Sequence, residues 1–286
     1  MIPAKFDYVR PSSLAEAVQA LAGGGEDAKV IAGGQSLLPL LRLRLAYPDL
    51  LVDLGGLGEL TGVRDAGDAL VIGAMTTMYS LIRDPLIREH CGLIAAAAAT
   101  VADPAIRHRG TIGGSLAHAD PAGDLPAVIT ALDGTLIATG PGGEREIAPA
   151  DFFVDYLTTA LAPGEILTAV RVPKLGYGWG FRYEKFQPTA QAWAIVGVAA
   201  LARRDNGRVA EARIGFTNMG PVPIRARAAE AAASGAEASR QALAAAAANA
   251  DQGTQPPNDL RAAADYRRHL ARVLTGRALA GAAGAS

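Results

Sequence analysis

Apolar positions in the first half of the chain fall into short runs whose period alternates between that of a helix and that of a strand. In "LAEAVQALAG" they recur three and four apart, which predicts a helix. Ser13 followed by Glu16 forms a capping box at its start, and Gly23 to Gly25 end it. "AKVIAGG" reads as a short buried strand, "LLPLLRLRLAYP" as a helical or irregular apolar segment, and "LLVDL" as a second strand. Glycines 55, 56 and 58 mark a joint between subdomains. "ALVIGAM" predicts a strand, followed by helix-like "TTMYSLIRDPLIREHCGLIAAAAATVAD", interrupted near Pro85. A helix in "DLPAVITALDG" and strands in "TLIATG" and "EILTAVRVP" close this region.

The pattern changes after Pro173. "GFRYEKFQPTAQAWAIVGVAALARRDNGRVAEARIGFTNMG" predicts two long strands around Asn206-Gly207, a dipeptide suited to a tight hairpin because both residues tolerate positive φ. Trp193 falls within the first of these strands. The remainder is Ala-rich and helical, with a polar break at "DQGTQPPNDL". No solenoid-like period recurs. Together the elements predict an α+β fold: an N-terminal module of two small α/β subdomains, then an antiparallel sheet carrying helices.

Composition narrows the function classes. The 286 residues are 50% hydrophobic, yet no apolar run approaches the roughly 18 residues of a membrane span. The opening "MIPAKFDYVRPSS" lacks the basic and apolar regions of a secretory signal, so a cytoplasmic location is expected. With a formal net charge of −1 and scattered Lys and Arg, no nucleic-acid partner is expected. Cys91 is the only cysteine, which excludes a disulfide framework and an iron–sulfur cluster ligated by four thiolates of this chain. His90, His108, His118 and His269 show no metal-ligand spacing, and no metal site is expected.

Two segments pair glycines behind strand-like residues: "VIAGGQSLLPLL" (30–41) and "RGTIGGSLAHADPAGDLP" (109–126). Gly-Gly permits positive φ and removes two Cβ atoms, so a ligand can approach the main chain. Successive N–H groups in such a turn can converge on an anion. Neither segment contains Lys or Arg between its glycines and the following apolar run, so phosphates would meet neutral donors, with Ser36 and Thr111 adding hydroxyls. Two such turns could clamp the two phosphates of one dinucleotide; each could equally be only a tight turn. Neither fits the Rossmann or P-loop pattern.

Set beside the rest of the chain, these segments carry a family resemblance. "AGGQSLLP" (32–39) and "GTIGGSLAHADPAGDLP" (110–126) resemble the two flavin-binding motifs of the medium, FAD-binding subunit of molybdenum hydroxylases, the carbon monoxide dehydrogenase and xanthine dehydrogenase family. "FDYVRPSSLAEAV", "LVDLGGLGEL", "LVIGAMTT", "GEILTAVRVP" and "YRRHLARVLTGRAL" extend the resemblance over nearly the whole chain. It implies an FAD-binding module of the vanillyl-alcohol oxidase type over 1–175, with subdomains of about 1–57 and 58–175. A C-terminal α+β domain of the CO dehydrogenase flavoprotein type follows over 176–286, and FAD is expected to lie between the domains.

Carried over by position, Val30, Ile31, Ala32, Gly33, Gly34, Gln35, Ser36 and Leu37 would wrap the pyrophosphate and ribityl chain. Gly110, Thr111, Gly113, Gly114 and Ser115 would form the second clamp. The family often has Asn at Ser115, and His or Asn at Gln35. Asp124 matches an acidic residue near the ribose or adenine side; a helix N-cap is its other reading. His118 lines the nucleotide or is a polar loop residue. Val101, Ala102 and Leu167 are either apolar cofactor walls or core. Lys185, in "RYEKFQ", matches a lysine near the flavin ring, against the reading of a strand-edge Lys in water. Ala192-Trp193 stands where several relatives have Asp-Tyr, which places Trp193 against the ring or, from spacing alone, in the core. Arg107 reads as a solvated loop charge and Cys91 as a packed thiol. No catalytic residue is assigned.

The resemblance implies an electron-transfer role. A large molybdopterin subunit would oxidise substrate, a small subunit with two [2Fe-2S] clusters would carry electrons, and this chain's FAD would pass them to an external acceptor. The expected assembly is a dimer of heterotrimers. A stand-alone FAD oxidoreductase of the same fold and a non-enzymatic nucleotide-binding module are the alternatives. The related aromatic-thioester reductases, whose flavin subunit carries a further cluster, are disfavoured by the single cysteine.

Overall fold

The computed structural model describes residues 2–285. Three sheets position everything that follows. The first is parallel and three-stranded, in the order Asp7–Val9, Leu50–Asp53, Ala28–Ile31. Helix Leu14–Gly23 makes the crossover between its outer strands and buries Ala17, Val18 and Leu21. Ser13 Oγ accepts from Glu16 N, but the Glu16 carboxylate reaches back to Ser12, N and Oγ both at 2.8 Å. The reciprocal half of the expected capping box is therefore shifted by one residue. Strand Ala28–Ile31 is also less buried than its composition suggests: only Ala28 is buried.

The second sheet is antiparallel, in the order Val63–Asp65, Ala69–Gly73, Ile166–Pro173, Thr135–Gly140, Gly143–Ile147. The long helical stretch before it returns is three helices, Met78–Arg83, Pro85–His90 and Gly92–Ala99. Asp84 starts the second: its carboxylate accepts from the amides of Leu86 and Ile87, and Pro85 occupies the first turn. Helices Ile112–His118 and Asp124–Ala131 follow. The second paired glycine is therefore not a loop, because Gly113 and Gly114 lie in the first turn of a helix.

The third sheet is antiparallel, in the order Trp179–Phe186, Val196–Asp205, Arg208–Thr217, Ile224–Arg225. Asn206 and Gly207 turn its central hairpin at φ 48° and 77°. The run "VGVAALA" has no polar face because both faces are covered. Ala199 and Leu201 pack with the helices of the second sheet, while Val196, Val198, Ala200 and Ala202 pack against helices Arg240–Ala247 and Ala264–Ala282. Tyr183 joins the shared cluster too, so the third sheet is the lid of the second layer's core. No helix among the described residues is long and apolar enough to cross a membrane.

Candidate cofactor site

A cleft of about 810 Å³ opens where the three sheets meet. That lies in the upper part of the range usual for small-molecule and cofactor sites, roughly 300–1,000 Å³. Val30, Ala32, Gly33, Gly34, Gln35, Ser36 and Leu37 line one side; Gly110, Thr111, Gly113, Gly114, Ser115 and His118 line another. Val101, Ala102, Asp124, Leu167, Lys185 and Trp193 complete the wall. Ile31 is the exception among the residues picked from sequence. It ends the strand and does not line the cleft.

The two glycine pairs do different work. After strand Ala28–Ile31 the chain turns through Gly34, at φ +74°, into helix Leu37–Leu43. The amides of Gly33, Gly34, Gln35, Ser36 and Leu37 donate to no protein acceptor among the described residues, and Ser36 Oγ makes no cap bond. A run of unspent donors on a cleft wall is a nest for an anion. Gly33 itself is required by protein contact: a Cβ there would lie 2.0 Å from the Arg109 carbonyl oxygen.

At the second pair the donors are used. Gly113 N donates to Ala74 O at 2.8 Å, Gly114 N to the capping Thr111 Oγ1 at 3.1 Å, and Ser115 N to Thr111 O at 3.1 Å. A Cβ on Gly113 would lie 2.4 Å from Ala74 Cβ. The expected second amide clamp is therefore corrected. These glycines let a helix close on the end of strand Ala69–Gly73, and what they offer the cleft is side-chain hydroxyl, from Thr111 and Ser115. Thr-x-x-Gly ahead of an apolar run was a legible N-cap pattern, with Thr111 in the capping position.

Arg107 is corrected as well. Its Nη1 donates to the carbonyls of Val101 at 2.7 Å and Ala102 at 3.1 Å. It fastens a cleft wall in which Ala102 holds φ +40°, a conformation that non-glycine residues adopt only when their surroundings enforce it. Leu167 serves both readings, being 5% exposed within the core while facing the cleft. His118 lines the cleft with Nε2 4.0 Å from Asp120 Oδ2.

Asp124 caps nothing: Gly123 holds the N-cap position of helix Asp124–Ala131. Its carboxylate instead accepts from Lys185 Nζ at 2.8 Å and from the Tyr183 hydroxyl at 2.6 Å. The Lys185 and Asp124 side chains are 4% and 5% exposed, so Lys185 is no strand-edge charge in water. Burial pushes the Asp124 carboxyl up, opposed by the charge and hydrogen bond of Lys185 and by the Tyr183 hydroxyl. Trp193 lies not in a strand but in the loop before Val196, and at 44% exposure it is not core. Sequence reasoning missed the far end of the cleft, Leu161 to Ile166, where Glu165 is held by Arg145. Pro163-Gly164 was its only signal, a turn with Gly164 at φ +81°.

Residues 4–175 match the family described as the FAD binding domain in molybdopterin dehydrogenase. The chain belongs to this family. Residues 181–282 match the CO dehydrogenase flavoprotein C-terminal domain. The chain is 40% identical to the carbon monoxide dehydrogenase medium chain of Afipia carboxidovorans, over 98% of this chain and 97% of the relative. It is also 40% identical to the 6-hydroxypseudooxynicotine dehydrogenase complex subunit alpha of Paenarthrobacter nicotinovorans, over 98% and 95%. Among solved structures, reconstituted CO dehydrogenase from Oligotropha carboxidovorans superposes with TM-score 0.97 at 40% identity, covering all of both chains. Quinoline 2-oxidoreductase from Pseudomonas putida 86 gives 0.94 at 34% identity, covering 99% of each. The α+β fold, the FAD-binding module and the oxidoreductase class expected from sequence are those of this family.

Proposed function

We propose that this chain is the flavoprotein subunit of a molybdenum hydroxylase, holding one noncovalent FAD in the cleft and passing electrons from a partner's [2Fe-2S] clusters to an external acceptor. The observation that carries the reading is the run of unspent amides from Gly33 to Leu37 on the wall of a long, largely apolar cleft. This donor set fits a diphosphate: neutral N–H groups and the Ser36 hydroxyl bind it without a basic residue, each bond to charge contributing about 1.5–3 kcal/mol. Thr111 and Ser115 add hydroxyls from the facing helix. Val101, Ala102 and Leu167 exclude water, and Lys185 and Trp193 meet the ring end. The module 1–175 forms most of the cleft and 176–286 completes it.

Bound there, FAD supplies the two-electron chemistry, and the protein sets its place and field. The chain offers no redox group of its own: burial pushes the Cys91 thiol up to about 12, so it stays protonated and inert. On this reading the [2Fe-2S] clusters and molybdopterin belong to small and large partner subunits, in a dimer of heterotrimers in the cytoplasm. Acid precipitation tests the reading. Yellow colour released to the supernatant, identified as FAD at one per chain, is expected; colour retained in the pellet, or FMN, would overturn it.

A further inference from the structure

We infer that Tyr183 is a positioning residue for the cofactor cleft: its hydroxyl, seated in space left by Gly197, fixes the Asp124 carboxylate and through it the Lys185 ammonium at the cleft wall. Tyr183 and Lys185 are two apart on strand Trp179–Phe186 and so face the same side of the sheet. In register, Lys185 lies opposite Gly197, and Gly197 opposite Thr217. A Cβ at position 197 would stand 2.7 Å from the Tyr183 hydroxyl oxygen and 2.9 Å from Thr217 Cβ. Glycine is therefore the residue that lets the phenol lie across this row. There it donates to Asp124 Oδ1 at 2.6 Å and sits 3.3 Å from Thr217 Oγ1, which donates to Gly123 O at 3.2 Å.

Each carboxylate oxygen of Asp124 thus has its own partner, Tyr183 on one and Lys185 on the other. Lys185 has three N–H donors. Thr100 O at 3.1 Å and Asp124 Oδ2 take two, leaving one for the cleft it lines. The phenol donates throughout the working pH range, since burial first and the Asp124 charge second raise its pKa well above 10.0. Without it, Asp124 Oδ1 loses its protein donor while the side chain stays 5% exposed, and a largely buried carboxylate in that position takes up a proton more readily. Lys185 then stands uncompensated beside the cleft. The Asp124 helix and the Tyr183 strand come from opposite halves of the chain, so the C-terminal sheet sets the charge balance of a cleft built mainly by the N-terminal half.

This inference rests on the flavin reading for its consequence, and the test separates the two. In Tyr183→Phe, which keeps the ring and its packing, NMR titration of the Asp124 carboxyl carbon in the apoprotein should show at least a tenfold gain in proton affinity. In the holoprotein, FAD content should remain near wild type. The flavin midpoint potential should rise by at least the equivalent of a tenfold change in a two-electron equilibrium, about 30 mV. Gly197→Ala, which displaces the hydroxyl, should reproduce both shifts, and Tyr183→Phe added to Asp124→Asn should shift the potential no further. An Asp124 titration and potential unchanged in Tyr183→Phe, or shifts that add in the double variant, would overturn it, even where thermal stability falls. Absence of FAD from the wild-type protein would overturn the flavin reading, while the apoprotein titration decides the role of Tyr183 by itself.

Discussion

Gly33, Gly34, Gly113 and Gly114 look alike in sequence, and only their partners separate them. The amides after Gly33 line the cleft with no protein acceptor among the described residues, while those of Gly113 and Gly114 are bonded to Ala74 O and Thr111 Oγ1. That these positions were special was legible. The jobs of Gly33 and Gly113 were not, because Arg109 and Ala74 approach from segments remote in sequence; only Gly114, bonded to the local Thr111 cap, could be assigned. The difference is measurable. Gly113→Ala overpacks the contact with Ala74 and should lower apoprotein stability by about 1–3 kcal/mol, read as a lower urea midpoint. Ser36→Ala removes a hydroxyl with no cap bond, so apoprotein stability should stay within about 0.5 kcal/mol. Its FAD affinity, measured by fluorescence titration, should nonetheless fall by about tenfold, the worth of one hydrogen bond to a charged group. An equal urea midpoint for both variants would remove the distinction drawn here.

At the scale of elements, most strands and helices follow from period and caps, and the exceptions have nonlocal causes. The sequence predicts a strand through Trp193, within the continuously apolar "AWAIVGVAA". The ladder begins only at Val196, since Phe186 is the last residue of the partner strand. The turn Leu161 to Glu165 had no apolar signal at all, and its place depends on a contact across the second sheet. Arg145, on strand Gly143–Ile147, grips both oxygens of Glu165 at 2.7 Å and donates to Ala160 O. The Arg145 hydrogen bond holds the Glu165 carboxyl below its ordinary range. A depressed carboxylate stabilises the fold above its unfolded pKa, near 4.3, and that contribution is lost as pH falls through the folded value. Arg145→Met should therefore melt below wild type at neutral pH, and the gap should narrow on acidification below about pH 4. A gap that is constant with pH would assign the loss to packing alone.

At the scale of the molecule, the cleft is completed by a loop that neither glycine motif announces. Residues 187–194 leave strand Trp179–Phe186 and return to strand Val196–Asp205, and both ends are pinned. Asn218 Nδ2 donates to Ala194 O at 2.8 Å, the fully buried Arg267 donates to Ile195 O at 2.5 Å, and Ile195 N donates to Phe186 O at 2.8 Å. Arg267 belongs to the final helix, so the far end of the chain helps fix the base from which Trp193 reaches the cleft. The family resemblance singles out the aromatic, but its presentation on a pinned loop needs the whole fold. With the flavin placed as proposed, a large flat side chain held there, half in water, is suited to cover its ring end, where stacking contributes about 0.5–1.5 kcal/mol beyond area burial. Stacked, it should quench flavin emission and slow access of oxygen. Trp193→Ala should raise flavin fluorescence and speed reoxidation in air, with FAD content preserved if the amides of Gly33 to Leu37 carry the binding as proposed. Trp193→Phe, which keeps a ring, should fall between the two. Emission and reoxidation rates identical in all three proteins would show that Trp193 borders the cleft without touching the cofactor.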